Sequence, residues 1–303
     1  MNFPRVLVSL FLLTLSTPSF ATDGWYEFFD KNFTVTHSGT DVQVGVLTQP
    51  APRGTVLYMP GFADTIDNHE TLLKSFRAQG MQVIAFDYPG HGKSGGKIAW
   101  WTLESLAEII PTVLADQRSG FDSSLPMILA GWSTGGTISI RIAQSWSHVI
   151  PSGTRLAGVI AYAPAVPAHI VVKVDKTKVT DGYMKRGPSP TSVPLVGKFA
   201  ASITLQSRAA AGQSFPASMN ALIIVAGDDD HFAQSRPAVS WVKDQGEQVL
   251  GFQCVGSMHG FEFQPAFGGE AQAVATQFAV AAARGDISAL RGRAGVRCPR
   301  IRN

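Results

Sequence analysis

Charge is scarce in this chain: Asp, Glu, Lys and Arg make up 16% of it, against about 25% in an average soluble domain. The 25 basic and 22 acidic residues leave a formal balance of +3. That is too mild for a protein that reads nucleic acid through its phosphates. Cysteine is scarcer still. Cys254 and Cys298 are the only two, which excludes a cysteine-rich metal or disulfide scaffold. No apolar run reaches the ~20 residues that cross a bilayer. The acidic run 228–230 lacks the alternating spacing of a calcium loop, and no internal repeat or low-complexity tract is present. What remains is 303 residues at 45% hydrophobic content, enough for one sizeable core.

The amino end, MNFPRVLVSLFLLTLSTPSFA, has one basic residue, a short apolar stretch and a small-residue ending. It reads as a signal peptide over residues 1–21, cleaved after Ala21, and so predicts an exported protein, periplasmic or extracellular. Removing it deletes Arg5 and lowers the balance from +3 to +2. No Cys follows the cleavage point, so a lipid anchor is not indicated. Export permits Cys254 and Cys298 to pair, although their spacing allows two free thiols equally. After Asp286 no acid remains, while Arg291, Arg293, Arg297, Arg300 and Arg302 crowd the end. Residues 286–303 read as a solvated basic tail, with peripheral contact to an anionic membrane surface as the sharper alternative.

Short apolar runs alternate with longer periodic segments, the pattern of a mostly parallel sheet with helices on both faces. The predicted strands are 42–47, 55–61, 82–90, 126–133, 156–165, 221–227 and 249–256. Helical stripes fall at Leu72, Leu73 and Phe76, and at Leu103, Leu106, Ile110 and Val113, where Pro111 should kink the helix. Two further helices are predicted after Ser133 and over GEAQAVATQFAVAAAR. The interval 167–218 breaks this rhythm, with five prolines, seven basic residues and two acids. A structureless loop of that length is improbable in a compact domain, so it reads as a cap inserted between core segments 22–166 and 219–285.

GWSTGG (131–136) follows an apolar strand and precedes a helical pattern, the setting of a nucleophile elbow. A serine hydroxyl needs a base to take its proton and an acid to orient that base. In elbow hydrolases those follow in the order Ser, acid, His. AGDDDHF supplies the acid at Asp230, with Asp228 and Asp229 assigned to the turn, although the three are hard to separate. VGSMHGF supplies His259. His37, His69, His91, His148 and His169 read as surface or turn residues. Oxyanion donors would be the backbone amides of Phe62, in LYMPGF, and of Thr134.

PGHGKSGG (89–96) mimics a dinucleotide or phosphate loop. Its glycines do not open a helix directly, and a P-loop's first glycine would fall on Asp87. Taken with MPGF, FDYPGHGKSGG, GWSTGG, AGDDD and SMHGF, the chain from about 42 to 284 resembles the α/β-hydrolase superfamily. The likeness is to its monoacylglycerol lipase, lysophospholipase and serine aminopeptidase-like branch. That resemblance implies a triad of Ser133, Asp230 and His259, an oxyanion hole at Phe62 and Thr134, and a structural role for the DYPGHGKS loop. Pro60 departs from the pattern, since many relatives carry His there. The expected activity is ester hydrolysis on small or lipid-like substrates, monoacylglycerols or lysophospholipids, with no metal or organic cofactor. Peptide or amide cleavage and a non-catalytic binding protein on the same scaffold stand as alternatives.

Overall fold

The computed structural model describes residues 24–166, 197–228, 235–293 and 295–302. All seven predicted strands are present: β2 (Thr40–Leu47), β3 (Thr55–Met59), β4 (Gln82–Phe86), β5 (Met127–Trp132), β6 (Leu156–Tyr162), β7 (Asn220–Ala226) and β8 (Val249–Cys254). Two more, β1 (Lys31–His37) and β9 (Arg300–Ile301), lie at the ends of the chain and of the sheet. Strand order is β1-β2-β4-β3-β5-β6-β7-β8-β9. Strands β3 to β8 are mutually parallel, while β1–β2, β2–β4 and β8–β9 pair antiparallel. This is an α/β-hydrolase fold.

Every residue of β3, β4 and β5 is buried, which explains their unbroken apolar sequences. Alternate residues feed two cores. Val56 and Tyr58 pack on one face with Leu72, Leu73 and Phe76 of α1 (Glu70–Ala78) and with Val274 and Phe278 of the last helix. Leu57 and Met59 pack on the other with Leu106 of α2 (Leu103–Ala107), Ile110 and Val113 of α3 (Ile109–Ala115) and Ile138 of α4 (Thr134–Gln144). The kink expected at Pro111 is a break into two helices at Glu108. Pro111 has no N–H to offer the Ala107 carbonyl, so the first helix stops there.

Of the interval expected to form a cap, 167–196 lies outside the described residues. Its described part contains α5 (Gly197–Ala211), which buries Phe199, Ile203 and Ala210 in the same core as α4. Helix α6 (Ser235–Lys243) precedes β8, and α7 (Gly268–Arg284) covers the opposite face.

The end of the chain differs from a free tail. Cys298 forms a disulfide with Cys254, and the amides of Arg297 and Cys298 donate to the Glu270 carboxylate. Beyond it β9 pairs with β8 through Gly251 and Phe252. The expected signal peptide, 1–21, lies outside the described residues.

Candidate active site

Ser133 follows the last residue of β5, the middle strand of the sheet, and α4 begins at the next residue. Its backbone sits at φ 51°, ψ −110°, a region that non-glycine residues rarely occupy. The turn is held by its own amide, which donates to the Tyr162 carbonyl at 2.8 Å, and by Thr137, whose amide and hydroxyl both donate to its carbonyl. The flanking glycines serve close approach. A Cβ on Gly131 would lie 2.4 Å from the Gly135 carbonyl carbon, and one on Gly135 would lie 2.0 Å from the Met59 oxygen. Only hydrogen fits where strand, helix and the end of β3 meet.

His259 stands on the turn after β8, 126 residues along the chain, with Nε2 2.8 Å from Ser133 Oγ. Both side chains are buried. Trp132, beside the serine, places its ring 5.2 Å from that of His259 and donates its Nε1–H to the His259 carbonyl at 3.0 Å. Ser257 ties this turn to β7, because its hydroxyl donates to Cys254 O while its carbonyl accepts from the amide of Asp228. The Asp228 backbone thus belongs to this turn. Asp229 and Asp230 lie outside the described residues.

The expected oxyanion donors belong to the same neighbourhood. Thr134 opens α4, where an amide has no intrahelical acceptor. The Gly135 amide donates to Pro60 O at 3.1 Å, which ties the elbow to the loop after β3. Gly61 abuts the Trp132 ring, where an added Cβ would approach to 2.5 Å. Phe62 stacks on Phe199 at 5.0 Å and meets His91 edge-on at 5.9 Å.

Two histidines read as surface or turn residues are buried instead, His69 and His91. His91 donates from Nδ1 to Pro89 O and accepts from the amide of Ala63, at φ 59°, through Nε2. Burial holds its pKa down at about 4, so the ring is neutral and able to accept. The DYPGHGKS loop thus props the residue after Phe62. His69 lies between two carboxylates, with Nε2 2.5 Å from Asp64 Oδ2 and Nδ1 2.9 Å from Glu262 Oε1. Burial opposes charge on this ring, but the two carboxylates overcome it and raise the pKa to about 10. Asp87, deeply buried, is pushed up to about 7 despite accepting from Tyr26 and the Ile66 amide. Polar side chains dispersed over 58–91 and 262 carry no spacing signal, so the sequence does not announce this network.

A nucleophile–base pair of this kind can deliver a serine alkoxide to a carbonyl. Among the described residues no group of three or more His, Cys, Asp or Glu could hold a metal ion.

Residues 50–245 match the family model described as serine aminopeptidase, S33. A monoacylglycerol lipase of Mycolicibacterium smegmatis is 32% identical over 124 residues, covering 39% of this chain and 40% of that protein. The chain therefore aligns with less than half the length of this curated relative. Among solved structures, the monoacylglycerol lipase of Paleococcus ferrophilus superposes with a TM-score of 0.67 at 19% identity, over 80% of this chain and 99% of that one. A soluble variant of the Saccharomyces cerevisiae monoglyceride lipase, in complex with a substrate analog, gives 0.66 at 14% identity, over 85% and 96%. At such identities the superpositions establish the shared fold.

Proposed function

The chain belongs to the serine aminopeptidase S33 family, and from that premise we propose that it is a serine hydrolase cleaving carboxylic esters through an acyl-enzyme. The observation that carries this reading is the 2.8 Å contact between His259 Nε2 and Ser133 Oγ at a strained strand-to-helix turn. In this mechanism His259 takes the hydroxyl proton as Ser133 attacks the ester carbonyl. The amides of Phe62 and Thr134 receive the developing oxyanion. His259 then returns the proton to the leaving alcohol, and water releases the acid by the same route. Asp230 is the proposed orienting acid.

The substrate class proposed is a small lipid ester, a monoacylglycerol or lysophospholipid. Its support is the naming of relatives that share the fold or part of the sequence as monoacylglycerol lipases. A panel of glycerol and lysophospholipid esters graded by chain length, run beside Ser133→Ala, tests it. Turnover should rise with acyl length and vanish in the variant. Hydrolysis confined to acetate esters would reject the lipid preference. The family description favours amide cleavage as a second reading, and comparing aminoacyl amides with matched esters separates the two.

Export is proposed from the amino-terminal sequence and is compatible with the Cys254–Cys298 disulfide. It requires a mature protein beginning at Thr22. Contact with an anionic membrane is proposed for the basic edge, where Arg291, Arg293, Arg300 and Arg302 line one cavity of about 760 Å³ with Glu247. Co-sedimentation with phosphatidylglycerol vesicles, lost when these arginines become Gln, would support that contact.

A further inference from the structure

Strands β5, β6 and β7 separate β3 from β8, so at ~4.8 Å per strand the loops that leave them start roughly 19 Å apart. One loop carries Phe62 and the other His259, and a working site needs both in fixed relation. The two meet at His69. Its Nε2 faces Asp64, two residues after Phe62, and its Nδ1 faces Glu262, three residues after His259. Tyr58 Oη lies 2.8 Å from Nδ1 as well. The side chains of the Asp64–His69–Glu262 chain are between 0% and 2% exposed.

Rings complete the enclosure. Tyr58, Phe263 and Trp132 lie 4.8, 5.2 and 6.1 Å from the imidazole, and Trp132 is the residue that also holds His259. Neither Glu262 oxygen has a hydrogen-bond partner among the described residues, so Oε1 meets His69 Nδ1 as an ion pair at 2.9 Å. The ion pair with His69 is therefore what compensates a carboxylate driven toward its neutral form by burial. Removing one member of such a pair strands a buried charge, and the cheapest relief is for the loops to move apart.

We propose that His69 is a positioning residue, a clamp that bridges Asp64 and Glu262 and so fixes the oxyanion loop against the turn that carries His259. The proposal rests on the hydrolase reading above. It assigns His69 no contact with substrate. Its effect is on the distance between donor and base, where a displacement of about 1 Å can cost on the order of 10² in rate.

The test uses the full chain with a soluble ester and four variants: His69→Gln, Glu262→Gln, Glu262→Leu and Ser133→Ala. Folded His69→Gln should lose about 10²-fold in kcat with KM within about twofold of the parent. Glu262→Gln removes the charge facing His69 while keeping the shape, and Glu262→Leu removes the polar group as well, so each should lose kcat with KM little changed. Asp64, Tyr58 and Glu262 are the titratable groups acting on His69. The carboxylates facing His69 raise its pKa to about 10, so the parent's kcat should decline as pH rises through about 10, a limb that His69→Gln lacks. If His69→Gln does not fold, the Glu262 pair carries the test. Wild-type kcat in a folded His69→Gln, or in a folded Glu262→Gln, would overturn the clamp. Activity retained by Ser133→Ala would instead overturn the hydrolase reading, so the two failures are distinguishable.

Discussion

Ser133 occupies a backbone conformation that costs free energy, and its neighbours are chosen to tolerate it. Gly135→Ala would drive a methyl group into the Met59 carbonyl, so the variant should be destabilised by about 1–3 kcal/mol, the ordinary cost of overpacking. A denaturant titration checks this, and unchanged stability would mean that the elbow is looser than described. Ser133→Ala should lose on the order of 10⁶ in kcat, and Asp230→Asn about 10⁴, as in measured triads. Full activity in Asp230→Asn together with a dead Asp229→Asn would move the acid by one residue. Ser133 and His259 were legible because a nucleophile and a base must follow particular strands in a particular order. His69 and His91 were not, since a lone histidine in a loop looks the same in sequence whether buried or exposed.

Parallel strands and helices were legible for a physical reason: buried on both sides, they carry apolar runs and apolar stripes. β1 was missed because it is an edge strand with only Val35 buried, so its sequence KNFTVTH carries no such signal. β9 was missed because its two residues are recruited to the sheet through β8 and the disulfide. Helix α6 escaped since SRPAVSWVK begins with a turn-like Ser-Arg-Pro. The disulfide closes a separation of 44 residues, worth about 4 kcal/mol on a chain-entropy basis. Replacing both cysteines by Ala should lower the melting temperature by several degrees. An unchanged melting temperature would mean that the disulfide adds no stability.

Across the whole molecule, buried titratable groups set a window of stability. His69 has a folded pKa of about 10, above its unfolded value of 6.5. Its contribution is therefore complete below about pH 6.5 and lost as pH rises through 10. Asp87, raised to about 7 from 3.8, also loses its contribution as pH rises through 7. His91, lowered to about 4, acts in the other direction, and its contribution fades as pH falls from about 6.5 through 4. The unfolding free energy should accordingly fall between pH 7 and 10, measured by denaturant titration at each pH. A flat profile over that range would show that His69 is not held as a cation.

Covalent labelling asks, without knowledge of the substrate, whether Ser133 is a reactive nucleophile activated by His259. The purified chain is treated with a fluorophosphonate probe and the adduct located by peptide mass spectrometry. Stoichiometric modification at Ser133, abolished in Ser133→Ala and slowed by orders of magnitude in His259→Gln, is the predicted result. An unlabelled Ser133 in folded protein, or labelling that is indifferent to His259, would contradict it.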